Sequence, residues 1–219
     1  MAILRVNPTR MELTRLKNRL RTARRGHKLL KDKRDELMKQ FLDMMRVNRD
    51  LRTHVEEALV RAHASFTVAS ALMSPEMLEQ SLVYPKQSVS LEMSYKNIMS
   101  VNVPVYDYKT RSDDPGEIYP YGFAATSGEL DEALTALAKT FKDMLALAQI
   151  EKAVQLLAEE IEKTRRRVNA LEYVMIPQLE ETIRYIKMKL DETERGNLTR
   201  LMKVKEMILK QAGYGQEQG

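Results

Sequence analysis

The chain of 219 residues contains no cysteine and no tryptophan, and only 6% of its residues are aromatic. The absence of cysteine excludes disulfides, thiolate metal sites and thiol nucleophiles. The sequence has no run of eighteen apolar residues and no signal-like N-terminus, which predicts a cytoplasmic protein that does not span a membrane. With 31% charged residues and little glycine or proline, the composition is typical of a long-helix protein.

The usual signatures of catalysis and of ligand binding are also missing. No phosphate-binding glycine loop of the G-x-x-x-x-G-K-[ST] type occurs, and the eight glycines are scattered. The three histidines, His27, His54 and His63, are not spaced to share a helix face with a nearby carboxylate, as a metal site would require. No Ser/His/Asp arrangement stands out. We therefore expect no cofactor, no metal and no catalytic site in this chain.

Apolar residues recur at alternating steps of three and four from Leu13 to about Leu72. A heptad repeat sustained over about nine heptads predicts a left-handed coiled coil. Polar residues interrupt the repeat at His27, Arg34 and Asn48. Buried polar residues of this kind fix the register of a coiled coil, although Arg34 could also extend its charged end to solvent.

The chain is expected to contain three segments and a tail. Residues 1–73 form a long helix, residues 74–129 a central cap, residues 130–212 a second long helix, and residues 213–219 a disordered tail. Asn7 and Pro8 predict the start of the first helix, because Asn is a favoured N-cap and Pro suits the first helical position.

The cap is expected to contain a short helix near residues 75–81 and a β-hairpin. Residues 88–95 alternate between polar and apolar side chains, which is typical of a strand. A second extended stretch covers residues 98–108, where Pro104 restricts it to the edge of a sheet. The turn between the two strands is predicted near Lys96 and Asn97.

The second long helix has an apolar stripe that changes phase once. The stripe is expected to begin at Leu130, Leu134, Leu137, Phe141, Met144 and Ala148. It resumes one residue out of phase after Pro177, which predicts a local unwinding of the supercoil there. Because Pro177 also lacks an N–H group, a kink is expected at this residue.

These observations predict a mainly α fold, namely a long antiparallel two-helix coiled coil with a small central cap of a β-hairpin and a short helix. Dimerisation between two chains is the competing way to bury the stripes. The expected seam consists of apolar residues from both helices: Leu13, Leu16, Leu20, Leu30, Leu37, Phe41, Met44, Leu51, Val154, Leu157, Ile161, Val168, Leu171, Ile183, Ile186 and Leu190.

Charge is distributed unevenly along the chain, which has a net charge of +5. Residues 1–40 hold thirteen Lys or Arg against four Asp or Glu, whereas residues 74–129 hold four basic and eight acidic residues. The basic run is open to three interpretations: a solvated helix face, a nucleic-acid-binding surface, or an end that docks inside an acidic protein sleeve. Its spacing does not separate them.

Several segments resemble the D-subunit family of the V-type/A-type ATPases. Residues 7–13 (Asn-Pro-Thr-Arg-Met-Glu-Leu) and 25–33 (Arg-Gly-His-Lys-Leu-Leu-Lys-Asp-Lys) resemble the N-terminal helix of that family. Residues 160–173 and 176–179 are similar to its C-terminal helix, and residues 96–101 to its middle segment. The resemblance covers nearly the whole chain in the order of the family.

This resemblance implies a non-catalytic central-stalk rotor subunit that couples ATP hydrolysis or synthesis mechanically to ion translocation, with protons and sodium both open. The implied partners are the catalytic A/B ring, the small F subunit of the rotor and a membrane-ring coupling subunit, and no nucleic acid. The residues expected to face the ring, from charge and motif position, are Arg21, Arg24, Arg25, Lys28, Lys31, Arg165, Arg166 and Arg167. Residues 74–129 are expected to contact the F subunit. The alternative is a basic coiled-coil adaptor that binds nucleic acid or an acidic protein.

Overall fold

The computed structural model describes residues 4–112, 114–122 and 126–214 of the chain. Long helices and one antiparallel two-stranded hairpin make up these residues, which confirms the predicted mainly α fold class. In chain order the elements are α1 (Arg10–Leu72), α2 (Pro75–Leu82), β1 (Val89–Ile98), β2 (Val101–Thr110), a 3-10 helix (Pro115–Ile118), α3 (Gly128–Ala170), a π-helical segment (Leu171–Met175) and α4 (Ile176–Tyr214).

The chain divides into two compact units, and the long helices contribute to both. The first unit combines the start of α1, as far as Arg34, with the chain from Lys163 onward. The second unit spans Asp35–Glu162. Each unit therefore contains parts of more than one of the segments expected from the sequence.

In the first unit, α1 packs antiparallel against α4. Leu16 forms a buried cluster with Leu179, Ile183 and Ile186. Two ion pairs show that the helices run in opposite directions, because the residue later in α1 pairs with the residue earlier in α4. They join Arg10 to Glu194 at 3.4 Å and Arg24 to Glu180 at 2.6 Å.

In the second unit, α1, α3 and the hairpin share one apolar cluster. Leu37 is fully buried there, together with Val101 and Val103 of β2 and with Ala153, Leu157 and Ile161 of α3. Further along α1, Arg52 approaches Glu151 at 3.8 Å. Here too the helices run antiparallel, because Leu37 meets Leu157 of α3 whereas Arg52, later in α1, meets Glu151, which is earlier in α3.

Helix α1 begins later than the sequence predicts. The Thr9 hydroxyl accepts a hydrogen bond from the Glu12 amide at 3.2 Å, so Thr9 is the N-cap and the predicted start at Asn7 and Pro8 is wrong. The chain before α1 instead contacts α4, where the Leu4 amide donates to the Thr182 hydroxyl at 3.2 Å. Tertiary contact thus competes with the earlier helix start.

The hairpin turns at Met99 and Ser100, not near Lys96 and Asn97 as predicted. Both turn residues have positive φ, 48° for Met99 and 73° for Ser100, as a two-residue type I′ turn requires. Asn97 lies in β1, and its side-chain oxygen accepts a hydrogen bond from the Ser100 amide at 3.1 Å. Met99 also packs against the Leu37 cluster, which offsets the backbone strain.

The buried stripe in the first half of α3 differs from the predicted one. Leu137 is 46% exposed and Met144 is 38% exposed, whereas Ala133 and Thr140 are buried. Thr140 tolerates burial because its hydroxyl donates to the Ala136 carbonyl at 2.8 Å. On α1, the buried residues Ala62 and Ala69 are small as well.

A π-helical segment precedes Pro177. The Ile176 amide donates to the Leu171 carbonyl, a step of five residues instead of four. Such a turn holds one extra residue, which explains the phase shift of the stripe by one position. Helix α4 then continues to Tyr214, past the predicted end at residue 212, and residues 215–219 lie outside the described residues. The kink at Pro177 stays a prediction.

Candidate partner-binding surfaces

The sixteen residues expected at the seam are all buried or half-buried. The structure brings Leu13, Leu16 and Leu20 together with Ile183, Ile186 and Leu190 in the first unit. In the second unit it brings Leu37, Phe41 and Met44 together with Leu157 and Ile161. These contacts use the apolar stripes within one chain.

Two of the polar residues in the α1 repeat have distinct surroundings. His27 is half-buried, and its Nε2 atom lies 3.4 Å from a carboxylate oxygen of Glu172. The side-chain oxygen of Asn48 is buried and has no hydrogen-bond partner among the described residues. A buried oxygen without a partner costs about 1–3 kcal/mol, so Asn48 lowers the stability of the second unit.

The eight basic residues expected to face a partner are all exposed, and all belong to the first unit. Arg24 pairs with Glu180, and Arg21 donates to the side chain of Asn18 at 2.6 Å. In the part of the chain that the structure describes, no ion pair or hydrogen bond engages the side chains of Arg25, Lys28, Lys31, Arg165 and Arg167. These five cations are available to an acidic partner.

The C-terminal part of α4 is exposed at every position from residue 191 to residue 210. Helix α1 begins at Arg10, which lies beside Glu194, and residues 195–210 therefore extend past the start of α1. This segment carries seven exposed large apolar residues: Leu198, Leu201, Met202, Val204, Met207, Ile208 and Leu209. Because successive residues of an α-helix are turned by about 100° around its axis, most of these apolar residues lie on one side of α4, and Gly196, Thr199 and Lys203 lie on the opposite side. This surface lies beyond the predicted apolar stripe, which ends at Leu190.

A second exposed apolar row lies on strand β1. Val89, Leu91, Met93 and Tyr95 are 44%, 51%, 56% and 64% exposed. Alternate residues of a strand point to one face, so these four side chains form a continuous row. The opposite face carries the side chains that pair with Val101 and Val103, which the helices bury.

Two of the open grooves of the second unit lie beside α3. A groove of 510 Å³ between α1 and α3 is lined by polar residues of both signs, including His54, Arg61, Glu132 and Asp143. In this groove the Nε2 atom of His54 lies 3.6 Å from a carboxylate oxygen of Asp143. A more apolar groove of 470 Å³ lies between the hairpin and α3, and Tyr108 meets Phe141 edge to face beside it.

Hydrogen bonds fasten the segment before α3 to that helix. The Tyr121 hydroxyl donates to Asp131 at 2.7 Å, and Tyr119 lies 2.8 Å from the Thr135 hydroxyl. Burial, followed by the hydrogen bond to Asp131, raises the pKa of Tyr121 well above its ordinary value.

On α1, the hydrogen bond to Glu56 raises the pKa of Arg52.

Among the described residues, no helix is both long enough and apolar enough to cross a bilayer. The long helix pairs and the hairpin place the chain in the class of long-helix, coiled-coil proteins. The sequence profile of the D subunit of ATP synthase matches residues 12–206.

Curated relatives match nearly the full chain. The D subunit of the V-type ATP synthase of Acetivibrio thermocellus is 69% identical over 212 residues, which cover 97% of this chain and 96% of the relative. Proteins of the same name from Clostridium novyi and Clostridium botulinum (strain Langeland) are 60% and 61% identical, covering 96% and 94% of this chain and 98% and 95% of their own lengths. The chain belongs to the D-subunit family of ATP synthases. It is a structural subunit and not itself an enzyme.

Proposed function

We propose that this chain is the central-stalk rotor subunit of a V-type/A-type rotary ATPase. It couples ATP hydrolysis or synthesis in the catalytic A/B ring mechanically to ion translocation through the membrane ring. Its partners are the A/B ring, the small F subunit of the rotor and a subunit that couples to the membrane ring, and it is cytoplasmic and peripheral to the membrane. Membership of the D-subunit family supports this proposal.

The single observation that carries the proposal is the exposed end of α4. A helix whose apolar side faces water over residues 195–210 loses the stabilisation that burial of this side would give. Basic residues outnumber acidic ones in the same segment, with Arg195, Arg200, Lys203, Lys205 and Lys210 against Glu206. A ring of proteins around this segment would match both properties, because its apolar groups would cover the apolar side and its acidic groups would pair with the basic residues.

The exposed cations of the first unit support the same assignment. Arg25, Lys28 and Lys31 on α1, with Arg165 and Arg167 on α3, are free to pair with carboxylates of the ring. Exposed pairs contribute little stability each, but they set orientation and steer association. This end of the chain is therefore suited to recognising a ring whose contacts change as the rotor turns.

Coupling then follows from reciprocal binding. Each nucleotide state of the ring favours one rotor angle because it offers different contacts to the basic and apolar surfaces. By linkage, a rotor held at one angle favours the matching nucleotide state by the same free energy. The direction of net conversion is set by the ion gradient and the ATP level, not by residues of this chain.

Substitutions on the exposed end of α4 test the proposal in the assembled complex. Leu201→Asp with Ile208→Asp places charges on the apolar side, and we expect loss of stable rotor insertion and of ATP-driven ion pumping. Gly196→Asp with Thr199→Asp is the matched control, because it adds the same charge on the opposite side, where Gly196 has open space around it. Equal pumping by both double variants would refute the assignment. Recovery of salt-removable nucleic acid with the purified chain, and of no ring, would favour the basic adaptor.

A further inference from the structure

Helix α1 contains a single glycine, Gly26, which lies far from both ends of the helix. A Cβ atom added to Gly26 would meet no atom within 4 Å outside the adjoining backbone of α1, so no neighbouring group requires a glycine there. In a helix interior glycine is the least favourable residue apart from proline, because its backbone loses the most freedom on folding. Gly26 therefore makes α1 easier to open at this point, and close packing does not account for it.

Two contacts between the helices of the first unit show what lies opposite Gly26. Arg24 pairs with Glu180 at 2.6 Å, and the Nε2 atom of His27 lies 3.4 Å from a carboxylate oxygen of Glu172. Because Gly26 lies between Arg24 and His27 in α1, it faces the stretch between those two glutamates.

The backbone of that stretch is also irregular. It includes most of the π-helical turn, Leu171–Met175, in which the Ile176 amide reaches back five residues instead of four. It also includes Pro177, which has no amide hydrogen and therefore leaves one backbone bond unmade. Both helices thus have a weak point of the backbone at the same level.

Side-chain packing adds little stability at this level. The structure describes every residue between Leu16 and Leu37 of α1, and all of their side chains are exposed or half-buried. The same holds for every residue between Val168 and Leu179 on the facing helices. Local opening of a folded protein costs the least free energy where few apolar contacts are buried. The helix pair is therefore easiest to open at the level of Gly26.

We propose that Gly26 and the π-helical turn form a joint, at which α1 and the helix that faces it open together. Leu16 on one side of the joint and Val168 on the other stay packed while it opens, because both are buried. This inference rests on the backbone and the packing of the first unit and does not depend on the rotor assignment.

The joint divides the exposed basic residues of α1 into two groups. Arg21 and Arg24 precede it, and Lys28 and Lys31 follow it. A helix bends where its ladder of hydrogen bonds is interrupted. Bending at the joint changes the distance between the two groups, so this basic surface adjusts to a partner without separation of the helix pair.

Amide hydrogen exchange on the full chain, resolved by residue, tests this inference. After correction for intrinsic rates, we expect the amides of residues 27–30 and 174–176 to exchange about tenfold faster or more than those of Ile183 and Ile186. These two residues belong to the buried Leu16 cluster and serve as the internal reference for an intact helix pair.

Gly26→Ala favours the closed helix without a clash, because the position has open space around it. We expect exchange to slow by about fivefold at residues 27–30 and by a similar factor at residues 174–176 across the pair. Gly196→Ala is the matched control: Gly196 also has open space around it, but it lies in the exposed end of α4. This control should change the exchange of neither stretch.

Deletion of Tyr173 tests the joint from the other helix. Tyr173 is 64% exposed, so its side chain contributes little packing, and its removal takes away the extra residue that the π-helical turn holds. The turn then closes as regular α-helix. We expect exchange to slow at residues 27–30 of α1 as well as in the shortened turn.

The cross-helix response decides the inference. A response confined to the altered helix overturns the joint, because the two helices then open independently. Exchange at residues 27–30 as slow as that at Ile183 and Ile186 in the unaltered chain also overturns it. If deletion of Tyr173 abolishes the protection of these two reference amides, the response to Gly26→Ala at residues 174–176 decides alone. None of these outcomes contradicts the rotor assignment, which the variants of α4 test separately.

Discussion

Arg24 and Glu180 lie 156 positions apart in the sequence, and their side chains meet at 2.6 Å across α1 and α4. Both side chains are partly exposed, so the pair contributes about 0.2–1 kcal/mol to stability. Its greater value is as a marker of register, because only one alignment of the two helices brings these charges together.

A charge swap tests this register. Arg24→Glu is expected to lower the free energy of unfolding by about 1 kcal/mol or less, since it faces Glu180 with a second carboxylate. Adding Glu180→Arg should recover most of the loss in urea denaturation. Arg19→Glu, at an exposed position on the same helix, is the control that corrects for overall charge. A swap that recovers nothing beyond the sum of the single changes would contradict the register.

The unpaired cations of the first unit are expected to set the salt dependence of assembly with the A/B ring. Lys28→Glu with Lys31→Glu should weaken assembly, and the defect should diminish as salt screens the charges. Lys39→Glu with Arg49→Glu makes the same change of charge on α1 within the second unit and should have a smaller effect. Binding measured at several salt concentrations checks this, and identical behaviour of the two variants would argue against a ring contact at Lys28 and Lys31.

Leu37 is the clearest packing test of the second unit, because it is fully buried in the cluster that joins α1, α3 and the hairpin. Leu37→Ala is expected to reduce the free energy of unfolding by about 2–5 kcal/mol through lost burial and a residual cavity. Leu42→Ala, at a position 50% exposed, should change it by about 0.5 kcal/mol or less. Equal effects in urea denaturation would show that Leu37 is not in the core.

Ala62 tests how tightly the buried side of α1 is packed. It is only 6% exposed, and Ala62→Leu should therefore overpack the seam at a cost of about 1–3 kcal/mol. Ala64→Leu, on the exposed side of the same helix turn, should be nearly neutral. Thermal unfolding of the two variants distinguishes a tight seam from one with room for larger side chains.

The hydrogen bond from Tyr121 to Asp131 predicts an alkaline loss of stability. Because the pKa of Tyr121 is raised in the folded state, its neutral form stabilises folding fully below the ordinary pKa of 10.0. This contribution falls as the pH rises above that value. Ultraviolet titration of the nine tyrosines should show one that ionises later than the others, and Tyr121→Phe should remove that step. A titration unchanged by Tyr121→Phe would contradict the assignment.

The sequence predicts features that arise within one helix more reliably than features that arise between elements. The apolar periodicity predicted inward-facing positions at Leu16, Leu37 and Ile186, and all three are buried, because the period of an apolar stripe is a property of the helix itself. The turn at Met99 and Ser100 could not be read from residue type, since neither residue favours positive φ and the packing of Met99 on the Leu37 cluster offsets the strain.

Two further differences have the same origin in tertiary contact. Large apolar residues pointed to Leu137 and Met144 as the buried positions, whereas the structure buries Ala133 and Thr140 instead. Near Pro177 the phase shift was visible in the sequence, but its cause, a single π-helical turn, depends on which carbonyl the Ile176 amide reaches.

The exposed end of α4, residues 195–210, affects how readily proteases can degrade this chain. Residues 195–210 extend past the start of α1, and a helical segment of this length is only marginally stable in water without tertiary contacts. Copies made in excess therefore offer a cleavable terminus to proteases, while copies held by a partner along this segment do not. Degradation of the surplus would keep the amount of this protein matched to the number of assembled machines.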